Sequence, residues 1–189
     1  VSVHHEQGGA YAAMAYAQYN GNLGACLVST GCASTNAITP VLCAWQDEVP
    51  MIVVSGQNTL RETTRHTGIC IRTYGQQEAD IVSIVSSITK YAVMIENPLC
   101  IAYELDKAFY LAQTGRKGPV WIDVPLDVQN MRVDPEELER FVLYKKIVNL
   151  PDISDVYVSL RKAKRPVVMF GGGVRSGGAV DVLKTFVNA

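Results

Sequence analysis

The chain has 189 residues and sets 17 Lys and Arg against 18 Asp and Glu, a formal charge of −1 with no basic or acidic run, which argues against a nucleic-acid or membrane-surface partner. Hydrophobic residues make up 48% and charged residues 19%, too apolar for a disordered chain and ample for a core, while no stretch approaches the ~20 apolar residues of a membrane-spanning helix. Five widely spaced cysteines, an odd number without a C-x-x-C pair and mostly in apolar surroundings, read as buried thiols of a reducing compartment, and with no signal peptide in view the expected location is cytoplasmic.

Short apolar runs rich in β-branched residues alternate with longer amphipathic segments, the pattern of a parallel sheet covered by helices. A helix is predicted over 7–19, rich in Ala and Tyr, followed by a strand over 24–29. A second helix is predicted over 34–46, with Ser34 or Thr35 as its N-cap, and leads to a strand over 51–55. The polar connection that follows runs from Gln57 past Arg61, Arg65, His66 and Arg72 to Gln76, Gln77 and Glu78. A segment of that length is either a functional lid or a solvated excursion. A short helix over 80–87 and a strand over 91–94 come next. Asn97-Pro98 opens a further helix, with Pro at its first position and Ile101, Leu105, Ala108, Phe109 and Ala112 on one face, and Gly115 closes it. A strand over 120–124 ends the regular alternation.

Between about Arg132 and Pro151, Asp134-Pro135-Glu136-Glu137 and the charged stretch through Lys146 mark a boundary. Beyond it are predicted a helix over 153–163, a strand over 167–170, the cluster Gly171-Gly172-Gly173 and another helix. The expected class is α/β: a doubly wound, mostly parallel sheet with helices on both faces over 1–133, a linker over 134–152, and the start of a second α/β, Rossmann-like domain over 153–189. Both ends look cut, since Val1 is no initiator Met and the last residues fall within an apolar-periodic run.

In open α/β sheets ligands gather at the carboxyl ends of strands, so the loops after Val3, Ser29, Ser55, Val124 and Phe170 matter most. His5-Glu6 invites comparison with H-E-x-x-H zinc sites, but Gly9 stands where the second His would be. Taken alone, Glu6 reads as a carboxylate complementing a helix N-terminus. The run Ser29-Thr30-Gly31-Cys32-Ala33-Ser34-Thr35-Asn36 is small and polar, which lets a flat ring or a phosphate approach the backbone but also suits capping alone. Cys32 has no His nearby in sequence to activate it and reads as an ordinary thiol rather than a nucleophile.

Together these segments resemble one family. Glu6-Gln7-Gly8-Gly9 with Ala12-Ala13 and Tyr16-Ala17, Thr30-Gly31 with Thr35-Asn36, Asp47, Val49-Pro50, Gly56-Gln57, Ser87-Ile88-Thr89-Lys90, Gly118-Pro119-Val120 and Ile122-Asp123-Val124-Pro125 resemble the pyrimidine-binding domain of thiamine-diphosphate enzymes. Acetolactate synthase large subunits are the branch it is most similar to, with pyruvate oxidase and glyoxylate carboligase as relatives. The resemblance implies a catalytic role for Glu6: in the family a buried carboxyl at this position bonds N1′ of the aminopyrimidine, so that the cofactor's own 4′-nitrogen removes the C2 proton. It implies cofactor contacts for Thr30, Gly31, Cys32 and Asn36 as well as Glu6, although Cys32-Ala33 replaces the family's Pro-Gly. Gln77 falls where the family has an active-site glutamine near the substrate, preceded here by Gln76 instead of Phe, after a lid about eight residues longer.

The resemblance further implies a 2-keto acid substrate, pyruvate in the first instance, whose acyl carbanion passes to an acceptor. Mg2+ would be held with the diphosphate by a separate C-terminal domain, and the first strand and helix of the pyrimidine domain would precede Val1. Subunits would pair as a homodimer or homotetramer, leaving this fragment inactive alone, and branched-chain amino acid biosynthesis is an open pathway. FAD at Gly171, Gly172 and Gly173 is open too, because many relatives keep such glycines without a flavin. Competing expectations are another decarboxylase, oxidase or lyase of the same chemistry, a nucleotide-binding oxidoreductase built on the Gly171 cluster, and a non-catalytic homologue.

Overall fold

The computed structural model describes residues 1–143 and 149–188. By packing, the chain divides into two compact units, Val1–Phe141 and Val142–Ala189.

The first unit is a four-stranded parallel sheet in the order β1-β2-β4-β3, and its elements follow the expected alternation. Helix α1 (Glu6–Asn20) leads into β1 (Gly24–Val28); α2 (Cys32–Thr35) and α3 (Ile38–Gln46) lead into β2 (Met51–Gln57). The connection after β2 contains two short 3-10 turns and ends in α4 (Ile81–Val85), before β3 (Tyr91–Met94), α5 (Ile101–Gln113), β4 (Pro119–Pro125) and α6 (Leu126–Gln129). Parallel pairing sets Val28 beside Ser55, Ser55 beside Asp123, and Met94 also beside Asp123. Because strand side chains alternate between faces, Met51, Val53 and Trp121 meet α1, α3 and α4 through Ala13, Met14, Val41, Ala44, Ile81 and Val85. Ile52, Val120 and Ile122 meet α5 through Ala108 and Ala112 on the opposite face. Helices on both faces are the arrangement expected from sequence.

Close contact brings α1 onto the sheet: a Cβ on Gly24 would lie 2.1 Å from the carbonyl oxygen of Ala13. The helix stops at Gly21, whose φ of 71° is readily adopted without a Cβ and whose N–H bonds the Ala17 carbonyl. Asn97 caps the turn before α5 by accepting from the Leu99 N–H, and Gly115 follows that helix at φ 61°.

Three expectations are corrected. The helix predicted over 34–46 is two helices broken at Asn36-Ala37, with Gly31 rather than Ser34 or Thr35 at the first N-cap. Pro40 explains the break, since it has no N–H for the Asn36 carbonyl and its ring would clash there in a continuous helix. On α5, Phe109 lies off the buried face and is exposed. In the second unit, the strand predicted over 167–170 does not form; the described elements there are α7 (Ser154–Lys162), α8 (Gly173–Ser176) and α9 (Val180–Val187). Val167, Met169 and Phe170 are exposed, and a strand with no neighbour has no ladder to complete.

Residues 134–143 of the expected linker include Arg140, which pairs with Asp106 at 2.8 Å, and Phe141, set edge-on to Tyr103 with ring centres 5.5 Å apart. The stretch 144–148, with the Lys146 end of the charged run, lies outside the described residues, as does Ala189. Among the described residues no helix is long and apolar enough to cross a membrane.

Candidate active site

Glu6 is the first residue of α1. His5 precedes it as N-cap, its Nδ1 accepting from the Gln7 N–H at 3.2 Å. The Glu6 carboxylate accepts from Asn36 Nδ2 at 3.1 Å, across 30 positions of sequence. Its backbone N–H and then the Asn36 amide hold the Glu6 carboxyl below the usual glutamate range, against a smaller opposing effect of burial. The group is therefore ionised and half-exposed rather than the buried carboxyl expected from the resemblance. Cys26 is close enough to feel it: burial first, then the Glu6 charge, push the Cys26 thiol up.

The turn from β1 into α2 supplies the neighbouring wall. Gly31 adopts φ 61° and ψ −121°, Ser34 Oγ donates back to its carbonyl at 2.6 Å, and Thr35 Oγ1 does the same to Cys32. Cys32 begins α2 and, like Cys70, is exposed, while Cys26, Cys43 and Cys100 are half-buried, which corrects the expectation of buried thiols. Thr30 Oγ1 lies 3.1 Å from where a Cβ on Gly56 would stand, so this turn abuts the end of β2. A Cβ on Gly31 would fall 1.4 Å from the carbonyl oxygen of Gln77. The structure thus brings Glu6 to Asn36, Gly31 to Gln77 and Thr30 to Gly56.

Gln77 itself has φ 57°, an uncommon conformation for a residue with a side chain. Its neighbours are fastened on both sides. Asn58 Nδ2 donates to the Gln76 carbonyl at 3.1 Å, Gln57 Nε2 donates to the Ala79 carbonyl at 2.9 Å, and the Glu78 carboxylate accepts from Thr64 and from the Tyr74 N–H. The connection over 58–80 is thus an ordered structure laid against the strand ends. Gly171, Gly172 and Gly173 belong to the second unit, where a Cβ on Gly171 or Gly172 would meet nothing within 4 Å.

A buried polar cluster lies beneath the connection. Asp123 is 0% exposed, accepts from Ser55 Oγ at one oxygen, and at the other accepts from Gln57 Nε2 at 3.0 Å. Trp121 Nε1 donates to Ser55 Oγ at 2.8 Å. Burial pushes the Asp123 carboxyl up to about 6, opposed by the Ser55 and Gln57 hydrogen bonds; of the more distant charges, Asp80 adds to the rise and Arg65 counters it. Reading the sequence for motifs passes over this cluster as chemistry. Its signal is present all the same: Ser55 and Gln57 continue the Met51, Val53 face of β2, and Asp123 interrupts the apolar run of β4.

Comparison with known proteins gives a match over residues 1–84 to the thiamine pyrophosphate enzyme N-terminal TPP binding domain. Over 98% of its length the chain is 38% identical to the acetolactate synthase large subunit of Corynebacterium glutamicum, of which it covers 29%. The corresponding subunit of Lactococcus lactis subsp. lactis is 36% identical over 97% of this chain and 31% of its own length. Glyoxylate carboligase of Escherichia coli O157:H7 is 31% identical over 96% of this chain and 30% of its own. The chain thus spans about three tenths of the length of these relatives.

Proposed function

Because the chain belongs to the thiamine pyrophosphate enzymes through their N-terminal TPP binding domain, we propose that the whole protein decarboxylates a 2-keto acid, pyruvate in the first instance, and transfers the acyl unit to an acceptor in the manner of an acetolactate synthase. The observation that carries the reading is the ionised Glu6 carboxylate held by Asn36 at the mouth of a turn of small residues.

That donor set suits an aminopyrimidine. A carboxylate offers about four acceptor sites, of which the Asn36 amide and a backbone N–H engage part, so capacity is left for a ring nitrogen bearing a proton. Thr30, Gly31 and Cys32 present backbone and short side chains beside it, which a flat ring needs. When bound, thiamine diphosphate supplies the electron sink for losing carbon dioxide from a 2-keto acid. Glu6 would share a proton with the ring nitrogen of the bound cofactor, Asn36 would orient the carboxylate through the oxygen it bonds, and Gln77 would offer its amide to the polar end of the substrate. On the same reading Mg2+ is bound with the diphosphate outside this chain. A homodimer or homotetramer with a cytoplasmic location belongs to the same reading, and FAD at Gly171, Gly172 and Gly173 stays an open part of it.

The test is Glu6→Gln in the full-length protein with thiamine diphosphate, Mg2+ and pyruvate. Turnover should fall by about 10²–10⁴-fold, the range for a positioned proton-transfer group, with the circular dichroism spectrum unchanged; near-normal turnover would remove Glu6 from the mechanism. A second reading, a carboligase, decarboxylase or oxidase with another acceptor, draws on Gln76 and Cys32-Ala33, which depart from the family pattern beside the site, and on the glyoxylate carboligase relative. Acetolactate as the product from pyruvate alone favours the first reading, and its absence favours the second.

A further inference from the structure

Gln77 holds a left-handed backbone conformation that a residue with a side chain rarely adopts, and such outliers persist only where the surroundings over-determine them. Two of the restraints beside it, at Gln76 and at Ala79, trace back to one buried group. Gln57, at the end of β2, uses a single Nε2 group for two acceptors, the Ala79 carbonyl at 2.9 Å and Asp123 Oδ2 at 3.0 Å. Its Oε1 accepts from the Asn58 N–H at 3.0 Å, and the Asn58 side chain in turn holds the Gln76 carbonyl. Gln57 is 2% exposed, so its amide has no water to turn to if an acceptor is lost. Asp123 holds that amide on the sheet side in the same sense as the Ala79 carbonyl does on the other: an acceptor-only carboxylate at Oδ2 takes the NH2 edge, while Ser55, itself taking the Trp121 N–H, secures the other oxygen.

We propose that Asp123 is a positioning residue for Gln77, acting through the Gln57 amide to pin the backbone on either side of it. Asp123 lies in β4 and Gln57 in β2, paired strands of a buried sheet, so the restraint is referred to the most rigid part of the unit. Gly31 adjoins the same residue, because its missing Cβ leaves room for the Gln77 carbonyl, which a Cβ there would meet at 1.4 Å. The role of Asp123 in orienting substrate rests on the reading of Gln77 as the substrate-facing glutamine; its role in anchoring the connection does not.

Hydrogen exchange separates the two. The amides to follow are Glu78, bonded to the Gly75 carbonyl, and Ile81, bonded to the Ala79 carbonyl, in the full-length protein. Gln57→Met keeps the apolar volume but cannot donate, and exchange at Glu78 and Ile81 should rise about ten-fold, the loss of roughly one hydrogen bond, with β2 and β4 amides unchanged. Asp123→Ala should do the same, and Asp123→Asn should rescue, since an Asn with its NH2 toward Ser55 still offers Gln57 an oxygen. The same two disrupting variants should raise KM for the keto acid more than they lower kcat, and leave thiamine diphosphate affinity unchanged. Unchanged exchange at Glu78 and Ile81 in folded Gln57→Met overturns the proposal, as does an Asp123→Asn protein as loose as Asp123→Ala. Raised exchange with KM unchanged upholds the anchoring and overturns the reading of Gln77 instead.

Discussion

Replacing Gly31 by Ala tests the meeting of the β1 turn with the 58–80 connection. Two costs add. An L-residue at φ 61° and ψ −121° is strained whatever surrounds it, by about 1–3 kcal/mol. The new methyl would also stand 1.4 Å from the Gln77 carbonyl oxygen and 2.6 Å from its carbon, so the backbone of Gln77 must withdraw. Withdrawal strains or breaks the bonds from Asn58 to Gln76 and from Gln57 to Ala79, worth about 0.5–1.5 kcal/mol each. The sum is roughly 2–6 kcal/mol. Gly115→Ala is the matched control: its φ is also 61°, and a Cβ there meets nothing within 4 Å, so only the first kind of cost applies, about 1–2 kcal/mol. A multidomain protein need not unfold in one step, so the informative quantity is the difference in urea midpoint between the two variants of the full-length protein. Gly31→Ala should be the less stable, with faster exchange at Glu78. Equal midpoints and equal exchange would refute the contact.

Two further outcomes follow from the titrating groups. Asp123 has its folded-state value raised from 3.8 to about 6, so between those values the folded chain keeps a proton that the unfolded chain has released; stability falls as pH rises through that window, and the ionised group costs about 3 kcal/mol at neutral pH. Asp123→Asn should therefore gain on the wild type in urea midpoint from pH 4 to pH 7, and a constant gap across that range would contradict the assignment. Asn36→Ala should let the Glu6 carboxyl move up toward the ordinary glutamate range, because one of the two hydrogen bonds that hold it down is gone; carboxyl 13C shifts in the cofactor-free protein would follow it, and an unmoved titration would mean that the Asn36 contact does not act on Glu6.

What the sequence discloses is governed by the range of the interaction that decides each feature. Strands β2 and β4 are decided locally, by apolar runs bounded by Pro50 on one side and Gly118 on the other, and their limits are within two residues of those expected. The end of α5 is equally local, since Gly115 is the signal and the stop together. Pro40 is in the sequence too, and its missing N–H opposite the Asn36 carbonyl is a local signal of the break before α3 that competes with the Ser and Thr suggesting a later cap. Residues 167–170 illustrate the opposite case: their pattern is that of a strand, but a strand is a property of a pair. For the site, Glu6 stands out through its resemblance to a family motif, whereas its hydrogen bond with Asn36, 30 positions away, is set only by the fold. Ser55 and Asp123 are 68 apart, and only the parallel register of β2 with β4 sets them opposite each other.

The buried cluster also bears on why this sheet carries an ionisable group at all. Stability gives no reason for it: a carboxyl whose proton affinity is raised by burial costs free energy when charged, and replacing buried ionic groups by well-packed apolar ones is often neutral or favourable. An apolar residue at 123 would pack against Val53 and Trp121 on the same face of the sheet. It would leave the Gln57 amide without an acceptor on the sheet side, held only by the Ala79 carbonyl and the Asn58 N–H of the connection itself. A charge in the core thus ties a neutral side chain to the sheet, and through it the connection that the same side chain holds. The cost falls on the sheet, both of whose faces are covered by apolar cores, and the gain falls on Gln77, whose conformation no local propensity would favour.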